Sequence, residues 1–356
     1  MAVLSSAGDI LVVNAGSTSL KLHLVDRRER SQATPSLAAV SGDGRVAAVA
    51  HRVVHGGDAF VSPVVVDEAV RARLEELEEI APLHNLPALR ALDEARERFP
   101  SVPQVAVFDT AFHAAMPPVA STYAVPRRWR DELHVRRYGF HGLSLEWALE
   151  RSSSLLERDL GELRLVVCHL GGGCSVTAIA GGRSRDTTMG FSPLEGVPMA
   201  SRSGSVDPGA LLYLLHHGET TTSLGRALNE ESGLTGLAGT GSVAELERRA
   251  EQGDDAAGDA LELLAYRVAG AASAMAMAAG GIDALVFTAG VGEGSAAVRE
   301  AVCGYLGFLG VEIDRSSNGG SGDRDVARPG TRPRVLVVHA REEIVAARAT
   351  RELLAI

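Results

Sequence analysis

The sequence has few cysteines and no excess of basic residues. Its three cysteines, Cys168, Cys174 and Cys303, show no C-x-x-C spacing, which argues against both a disulfide framework and a zinc cluster. The formal net charge of −10 gives no basic surface for nucleic acid or for an anionic membrane. The sequence therefore predicts a cytoplasmic protein with small-molecule partners, in which locally placed arginine and lysine hold any anionic ligand.

The sequence also lacks a convincing membrane segment. Its first nine residues show no basic region followed by an apolar stretch, so no signal peptide is predicted. One long apolar run, residues 268–287, is interrupted by Ser273, Gly280, Gly281 and Asp283. Its small residues are typical of a buried, alanine-rich helix that leads into a strand.

Two similar stretches indicate an internal duplication. Residues 10–25 and residues 165–180 each consist of an apolar run, a turn of small and polar residues, and a second apolar run, which predicts two strands joined by a tight turn. A third turn, residues 284–295, leads from a buried strand through a glycine-rich loop into a helix near Ala296. Glycine-rich turns at the carboxyl ends of strands are where α/β sheets bind phosphates.

Helical patterns lie between these strands. They cover residues 68–79, 86–99, 145–160, 210–217, 243–252, 256–279 and 342–354. Strands that alternate with helices, twice over, predict two α/β lobes. The length of 356 residues agrees with two cores, because single cores stop growing at roughly 250 to 300 residues. Residues 315–333 are polar and glycine-rich, which predicts a mobile loop.

Polar side chains suited to phosphate chemistry follow the predicted strands. The first turn carries Asn14, Ser17, Ser19 and Lys21, a set that suits nucleotide phosphates but also occurs in ordinary hairpins. Arg52 ends an apolar strand, where a partly buried guanidinium needs an anion. That anion is either a ligand or a structural carboxylate.

Three further residues of chemical interest occur later in the chain. Asp109 and His141 each follow an apolar run, although a lone histidine is more often a satisfied structural residue. Arg202 is flanked by small residues that leave room for a ligand. Nearby Asp207 is predicted to cap a helix that begins at Pro208.

Nine strings of the chain resemble the acetate kinase family in order and spacing. They are NAGSTSLK, HRVVHGG, APLHN, FDTAFH, YGFHG, HLGGG, DTTMGFSPLEGVPMASRSG, FTAGVGEG and EEIVAAR, and they span almost the whole chain. The resemblance implies two duplicated actin-like (ribonuclease H-like) α/β lobes with a central interlobe cleft. The expected lobes are residues 1–145 and a nucleotide-binding lobe at 146–341, with the helix 342–356 packing back on the first. The resemblance further implies a homodimer that makes acetyl phosphate from acetate and ATP with Mg²⁺ or Mn²⁺.

Matching motifs imply roles for individual residues. Asp109, His141 and Arg202 match the catalytic positions, and Asn14 and Glu342 match the metal positions, acting through water. Arg52 corresponds to the clamp for the substrate carboxylate or phosphate. The methyl pocket is implied at Val54, Leu83, Phe140 and Pro193, and the nucleotide contacts at Lys21, His169, Leu170, Gly171, Gly172, Gly173, Gly290, Val291, Gly292, Glu293 and Gly294.

The implied reaction is phosphoryl transfer, which requires positioning and charge stabilisation more than covalent help from the protein. Arg52 and Arg202 are predicted to hold the transferred phosphoryl group, and His141 to donate a hydrogen bond to it. The family commonly casts Asp109 as an acid/base residue, but a carboxylate substrate, with a pKa of about 4, is already ionised at neutral pH. We therefore predict that Asp109 orients an arginine or the hydrated metal ion.

The departures from the family pattern lie on the nucleotide side. Gly172 and Gly294 stand where the family has asparagine, and residues 243–245 read Val-Ala-Glu where the family usually has an acidic and a basic residue near the adenosine. The segment between Asp26 and His51 is also shortened. Backbone N–H groups still cradle phosphate after such changes, whereas base recognition is weakened. Three alternatives stay open: another donor such as pyrophosphate, a longer acceptor such as propionate, and a catalytically silent nucleotide-binding homologue.

Overall fold

The computed structural model describes residues 8–15, 20–40, 45–77 and 82–356, apart from the side chains of residues 82–84. The chain divides into two compact units. The first comprises Met1–Ala114, Phe140–Trp147 and Arg341–Ile356, and the second comprises Ala115–Gly139 and Ala148–Ala340. The lobe boundaries expected from the sequence stay a prediction.

The first unit contains a six-stranded sheet. Its strands are β1 (Asp9–Ala15), β2 (Leu20–Val25), β3 (Ser31–Thr34), β4 (Val46–Val53), β5 (Val64–Val65) and β6 (Gln104–Phe108). Their order across the sheet is β3-β2-β1-β4-β6-β5. The strands β1, β4 and β6 run parallel to one another, and β2, β3 and β5 each pair antiparallel with a neighbour.

The second unit contains another six-stranded sheet. Its strands are β7 (Arg164–Leu170), β8 (Cys174–Ala180), β9 (Arg183–Thr187), β10 (Ala284–Thr288), β11 (Arg324–Asp325) and β12 (Arg334–Val337). Their order is β11-β12-β10-β7-β8-β9. The strands β7, β10 and β12 are parallel, and β7, β8 and β9 form antiparallel pairs.

The two sheets share one topology. The strands β9, β8, β7, β10 and β12 follow each other in the same order and with the same directions as β3, β2, β1, β4 and β6. Every residue of β6 and of β10 is buried, because helices cover both faces of such parallel strands. The predicted fold class, two duplicated α/β lobes, is confirmed.

Fourteen helices are described. They are α1 (Glu68–Glu76), α2 (Pro82–Arg98), α3 (Pro118–Ser121), α4 (Arg127–Asp131), α5 (Gly142–Leu156), α6 (Pro208–His216), α7 (Thr221–Glu230), α8 (Gly233–Ala238), α9 (Val243–Glu251), α10 (Asp255–Ala278), α11 (Ala289–Gly294), α12 (Ala296–Tyr305), α13 (Arg315–Asn318) and α14 (Glu342–Leu354). The seven predicted helices are all present. Of the helices in the described ranges, none has the length and apolarity needed to cross a membrane.

Two segments differ from the sequence-based expectation. The glycine-rich segment after β10 was expected as a loop, but it forms the helical turn α11. The expected loop at 315–333 contains α13 and β11. Asp314 caps α13 by accepting a bond from the amide of Ser316, and Asp325 of β11 pairs with Arg334 of β12 at 2.7 Å. These local polar contacts order a segment that has little apolar content.

The helix α14 belongs to the core of the first unit. Val345, Ala346 and Ala347 pack with Ile10 of β1 and Ala48 of β4 in one buried cluster. Because α14 packs through this apolar face, its first residue, Glu342, is held at one end of the sheet.

His51, in β4, is a polar residue within the same sheet. It is 1% exposed, and its Nε2 lies 2.8 Å from Oε1 of Gln104. Burial disfavours the charged imidazolium and lowers the pKa of His51 to about 4, although the bond to Gln104 opposes this shift.

We predict that His51 makes the fold less stable in acid. Its pKa is about 4 in the folded chain and 6.5 in an unperturbed chain. Between these values the unfolded chain binds a proton that the folded chain does not. The stability contributed by neutral His51 is therefore complete above the unfolded pKa and declines by about 3 kcal/mol as the pH falls through this window.

Urea titrations between about pH 4 and pH 7 measure the slope of the unfolding free energy against pH. His51→Leu should flatten the slope. His216→Leu, which removes an exposed histidine of α6, is the control and should keep the slope of the unmodified chain. Equal slopes of the unfolding free energy against pH in the unmodified chain and in His51→Leu would contradict the prediction.

Candidate functional site

An arginine held by two carboxylates forms the centre of the candidate site in the first unit. Nε and Nη2 of Arg52 donate to the two oxygens of Asp109 at 2.9 and 2.6 Å. Nη1 of Arg52 lies 2.7 Å from Oε2 of Glu342 and 3.3 Å from Oδ1 of Asn14. The side chain of Asp109 is 1% exposed and that of Arg52 is 15% exposed. The planar guanidinium is therefore fixed by a bidentate pair on one edge and by a second carboxylate on another.

Burial and neighbouring charges oppose each other in this cluster. Burial alone would lower the pKa of Arg52, but the charges of Asp109 and Glu342 outweigh burial and raise it above its ordinary value. Burial raises the pKa of Glu342, with Arg52 and Lys21 opposing and Asp109 reinforcing the shift. Arg52 therefore stays protonated, and further positive charge beside Glu342 would favour its ionised form.

Parallel strand pairing explains how residues far apart in sequence meet. Asn14 of β1 is paired with Arg52 of β4, and Asp109 directly follows β6, the next parallel strand. Carboxyl ends of parallel strands lie at one edge of a sheet. Glu342, the first residue of α14, accepts a 3.3 Å bond from Nδ2 of Asn14. Lys21 of β2 is paired with Asn14 on the other side.

A backbone hydrogen bond joins the start of α5 to Asp109 and holds the backbone of His141 close to that residue. The amide of Gly142 donates to the carbonyl of Asp109 at 2.9 Å, and a Cβ on Gly142 would lie 2.3 Å from that oxygen. His141 has a φ of +63°, a left-handed conformation that histidine adopts more often than most residues. Its carbonyl accepts from the amide of Leu145 at 3.0 Å, which starts the helix.

A layer of buried polar residues supports these groups, a role that the sequence pattern alone does not indicate. The backbone N–H and C=O of His55 bond the side chain of Asn85 at 3.2 and 3.1 Å. Thr110 accepts from the amide of Gly56 at 3.1 Å. Nε2 of His113 lies 2.9 Å from the carbonyl of Phe140. The motif strings contained these residues, but only the fold shows which backbone groups they fix.

The residues predicted to line an acyl pocket are distributed over both units. In the first unit, Val54 is half-buried and Phe140 is 1% exposed, with its ring edge-on to His55 at 5.4 Å. The side chain of Leu83 lies outside the described residues. Pro193 lies in the second unit, where its carbonyl accepts from Nη1 of Arg202 at 3.3 Å.

Arg202 is held in a tightly built loop of the second unit. Burial lowers its pKa, and nearby Cys174 opposes this shift. The carbonyl of Arg202 accepts from the amide of Met199 at 3.1 Å. A Cβ on Gly233, whose φ is +59°, would lie 2.6 Å from the same carbonyl oxygen, so only glycine fits there.

The two predicted nucleotide turns of the second unit lie side by side. In the turn between β7 and β8, which follows His169 and Leu170, the amide of Gly171 donates to the carbonyl of Gly173 at 3.1 Å. A Cβ on Gly171 would lie 3.5 Å from the Cβ of Ala289, the first residue of α11. By the same test Gly172 and Gly294 have nothing within 4 Å, so open space surrounds both.

A buried arginine that the sequence did not single out supports α11. Arg299 of α12 is 1% exposed, and its Nη1 donates to the carbonyls of Gly292 and Glu293 at 2.8 Å each. Its Nε donates to Oδ1 of Asn318 at 2.8 Å, and its Nη2 donates to the carbonyl of the same residue. Burial lowers the pKa of Arg299 to about 10. Arg299 therefore fixes the backbone of α11.

The carboxylate of Glu293 is bonded to other groups of the second unit. Its Oε1 accepts from the amide of Ala340 at 2.9 Å, and its Oε2 pairs with Nδ1 of His339. The turn therefore offers backbone groups rather than this carboxylate to a ligand.

We predict that Gly142→Ala destabilises the first unit. The added methyl group would lie 2.3 Å from the Asp109 carbonyl and 2.9 Å from the Cβ of Phe112, so the backbone must shift. Overpacking of this kind typically costs about 1 to 3 kcal/mol. Gly225→Ala in α7 is the control, because its methyl group meets open space and helix propensity favours alanine. Denaturant titration measures the free energy of unfolding of both variants, and an equal change in the two would contradict the prediction.

Comparison with known proteins places this geometry in context. The sequence profile of the acetokinase family matches residues 39–348. The acetate kinase of Thermosynechococcus vestitus is 46% identical over 310 residues, which cover 86% of this chain and 74% of that protein. The acetate kinase of Gloeobacter violaceus is 47% identical over 320 residues, with 86% and 78% coverage. These relatives favour the acetate kinase interpretation over the alternatives.

Solved structures agree with the sequence comparisons. A propionate kinase from Francisella tularensis is 31% identical, with a TM-score of 0.89 and coverage of 96% of this chain and 98% of that one. The acetate kinase of Porphyromonas gingivalis is also 31% identical, with a TM-score of 0.87 and coverage of 98% and 100%. With two duplicated α/β units and an arginine–carboxylate cluster at the sheet edge, the chain belongs to the acetokinase family.

Proposed function

We propose that the chain is an acetate kinase, which transfers a phosphoryl group from ATP to acetate and gives acetyl phosphate and ADP. One carboxylate oxygen of acetate bonds to the γ-phosphorus as the bond from that phosphorus to the β–γ bridging oxygen breaks, and ADP keeps the bridging oxygen. The observation that carries the proposal is the partly buried, permanently charged Arg52, fixed between Asp109 and Glu342.

Arginine is the residue expected where a trigonal phosphoryl group must be stabilised. The equatorial oxygens carry the charge in the transition state, and preorganised cations lower its energy. We assign this role to Arg52 and Arg202, with His141 as a hydrogen-bond donor. The support for Arg52 is its fixed orientation. The support for Arg202 is its partial burial among small residues, where its charge is poorly hydrated.

We assign Asp109 the role of orienting Arg52. The bidentate pair leaves both carboxylate oxygens occupied by the guanidinium. A carboxylate acceptor is ionised at neutral pH, so no proton has to be removed from it. The reaction therefore needs the orientation of Asp109 rather than its basicity.

The residues near Arg52 fit a hydrated Mg²⁺, with Mn²⁺ as a substitute. Mg²⁺ prefers oxygen ligands and usually keeps several waters, binding few protein groups. Asn14 and Glu342 supply such oxygens, and burial raises the pKa of Glu342, which a cation would counteract. Within the described ranges, no group of three or more His, Cys, Asp or Glu residues could hold a metal ion alone. When bound, the ion neutralises charge on the donor phosphates.

The turns of the second unit support a nucleotide donor. The segments Gly171–Gly173 and Gly290–Gly294 present backbone groups next to each other, as phosphate binding requires. Lys21 would add a cation. We assign Val54, Phe140, Leu83 and Pro193 to the acyl pocket on the family pattern.

We further propose a cytoplasmic homodimer. Three free, buried cysteines suit a reducing compartment. The helix α6 exposes Leu212, Tyr213, Leu214 and Leu215, a row of large apolar side chains that a second copy would cover. Sedimentation velocity measures the mass in solution, and a monomer at micromolar concentration would contradict this assignment.

The proposed activity predicts acyl phosphate formation, which hydroxylamine traps as a hydroxamate. The purified chain is assayed with ATP, GTP and pyrophosphate against acetate and propionate. We expect ATP with acetate to give the highest kcat/KM. Propionate should follow within about 10- to 200-fold, because one methylene in an apolar pocket is worth only about 1 to 3 kcal/mol. No product with any nucleotide would contradict the proposal.

One pair of variants links that activity to the site. Arg202→Ala should lower kcat by about 10³-fold, the loss typical of an arginine that stabilises the transferred phosphoryl group. Arg226→Ala, which removes an exposed arginine of the same unit paired with Glu231, should keep normal turnover. Near-normal turnover of Arg202→Ala would remove that residue from the mechanism.

The variant Asp109→Asn distinguishes an orienting role of Asp109 from an acid/base role. The amide cannot hold Arg52 in the bidentate geometry, so we expect kcat/KM to fall by about 10²-fold, as for a misplaced catalytic group. The magnesium dependence should shift, and the shape of the pH profile should not change. A changed pH profile with an intact magnesium dependence would instead establish Asp109 as an acid/base group.

A further inference from the structure

Lysine occurs once in this sequence. Lys21 stands among 35 lysine and arginine residues, and all the others are arginine. A guanidinium stays protonated in proteins, whereas the amine of lysine can lose its proton and act as a nucleophile. The family resemblance implies only a nucleotide contact for Lys21. In this sequence, Lys21 is therefore the only side chain whose amine an acylating compound can convert to an amide.

Strand pairing places Lys21 on the same face of the sheet as the candidate site. In the antiparallel pair of β1 and β2, Lys21 lies opposite Asn14, and in the parallel pair of β1 and β4, Asn14 lies opposite Arg52. Side chains of directly opposite residues project from one face of a sheet. Lys21, Asn14 and Arg52 thus form a row across three strands, in which two strand spacings amount to about 10 Å.

This face of the sheet is the one that α14 covers. Ile10 and Asn14 lie on the same face of β1, because alternate residues of a strand point to the same side, and Ile10 packs against α14 in a buried cluster. Glu342 is the first residue of α14. Burial raises the pKa of Glu342, and the positive charges of Arg52 and Lys21 oppose this shift. Lys21 therefore lies within electrostatic range of the carboxylate that pairs with Arg52.

The side chain of Lys21 is accessible, unlike the other charged groups of the cluster. Lys21 is exposed, and no residue in the described ranges forms a hydrogen bond or an ion pair with its side chain. Arg52, by contrast, is bonded to both Asp109 and Glu342. The ammonium group of lysine ends a flexible four-carbon stem. The amine of Lys21 can therefore approach a ligand that is bound at Arg52.

The proposed reaction supplies an acylating compound at this place. Acetyl phosphate is a mixed anhydride, and in the proposed mechanism its phosphate group is held by Arg52. The unprotonated Nζ of Lys21 adds to the acetyl carbon, the bond from that carbon to the bridging oxygen breaks, and phosphate leaves with that oxygen. The nitrogen passes one proton to phosphate or to water. The step needs no further reactant.

We propose that Lys21 is a site of self-acetylation, at which acetyl phosphate formed by the chain acylates its single side-chain amine. The inference rests on the proposed kinase function, because that function supplies the acyl donor. The amide is neutral, so the modified chain loses one positive charge on the face of the sheet that carries Glu342.

The loss of this charge gives the modification a regulatory effect. The proposed role of Lys21 is to contact the nucleotide phosphates, and an ammonium forms charge-assisted hydrogen bonds with phosphate. Losing one such contact should raise the KM for ATP by about tenfold or more. The chain would thus slow its own forward reaction as acetyl phosphate accumulates.

Chemically prepared acetyl phosphate, added to the purified full chain without nucleotide, tests the site independently of kinase turnover. Peptide mass spectrometry measures the rate at which each lysine gains an acetyl group. The matched control is Arg226→Lys, which places a second amine at an exposed position of the second unit. Lys21 should be acetylated at least about tenfold faster than the amine at position 226, because the bound donor is held beside it. The rate at Lys21 should also saturate as the acetyl phosphate concentration rises.

A second measurement gives the KM for ATP before and after this incubation, once the reagent has been removed. The KM of the unmodified chain should rise by about tenfold. Lys21→Arg keeps a positive charge but has no amine to acylate, so its KM should be the same before and after. Each chain is compared with itself, so the effect of the substitution on the untreated enzyme does not enter the comparison.

The possible outcomes separate this proposal from the kinase assignment. Equal acetylation rates at Lys21 and at position 226, or a rate at Lys21 that never saturates, would overturn the proposed site. An unchanged KM in the fully acetylated chain would overturn the regulatory effect. Hydroxamate formation without preferred acetylation of Lys21 would refute self-acetylation alone. Preferred acetylation of Lys21 in a chain that forms no hydroxamate would instead refute the kinase function and leave Lys21 as an acyl acceptor.

Discussion

The structure of the candidate site depends on one electrostatic constraint: a guanidinium that burial would destabilise is kept charged by two carboxylates. Arg52 satisfies Asp109 with two parallel bonds and Glu342 with a third contact. Each partner comes from a different element of the first unit, β4, the end of β6, and α14. Truncating one member of a buried charge pair typically costs about 3 to 5 kcal/mol, because the other charge is left uncompensated. The cluster therefore links the packing of the sheet to the position of the reactive groups.

The two units share one sheet topology but place different residues at the same edge of the sheet. In each unit a hairpin is followed by parallel strands whose carboxyl ends share an edge. The first unit equips that edge with charged side chains, Arg52 and Asp109. The second equips it with glycines, at 171–173 and in α11, and holds the backbone in place from behind with Arg299. In the proposed mechanism the first copy supplies side-chain groups and the second supplies backbone groups, each from the same edge of its sheet.

Much of this arrangement could be predicted from the sequence because it rests on local patterns. Apolar periodicity located the seven helices and the two hairpins, and the strand ends pointed to Arg52 and Asp109. The ion pair between Arg52 and Glu342 could not be read from the pattern, since it depends on the packing of α14 against β1 and β4. The segment containing α13 and β11 was expected as a loop because its order comes from polar contacts such as Asp325 with Arg334. Arg299 was missed because an arginine next to Glu300 in α12 gives no sign that carbonyl groups surround it.

The residues of the Arg52 cluster lie far apart in the sequence, which affects the order in which the protein folds. Asn14 and Glu342 are separated by 328 positions, yet their side chains bond each other. During synthesis the chain emerges at roughly 5 to 20 residues per second, and early segments fold first. The sheet of the first unit can therefore assemble around Arg52 well before its second carboxylate leaves the ribosome. Until α14 docks, Arg52 is paired with Asp109 alone, and the cluster is completed only as one of the last events of folding.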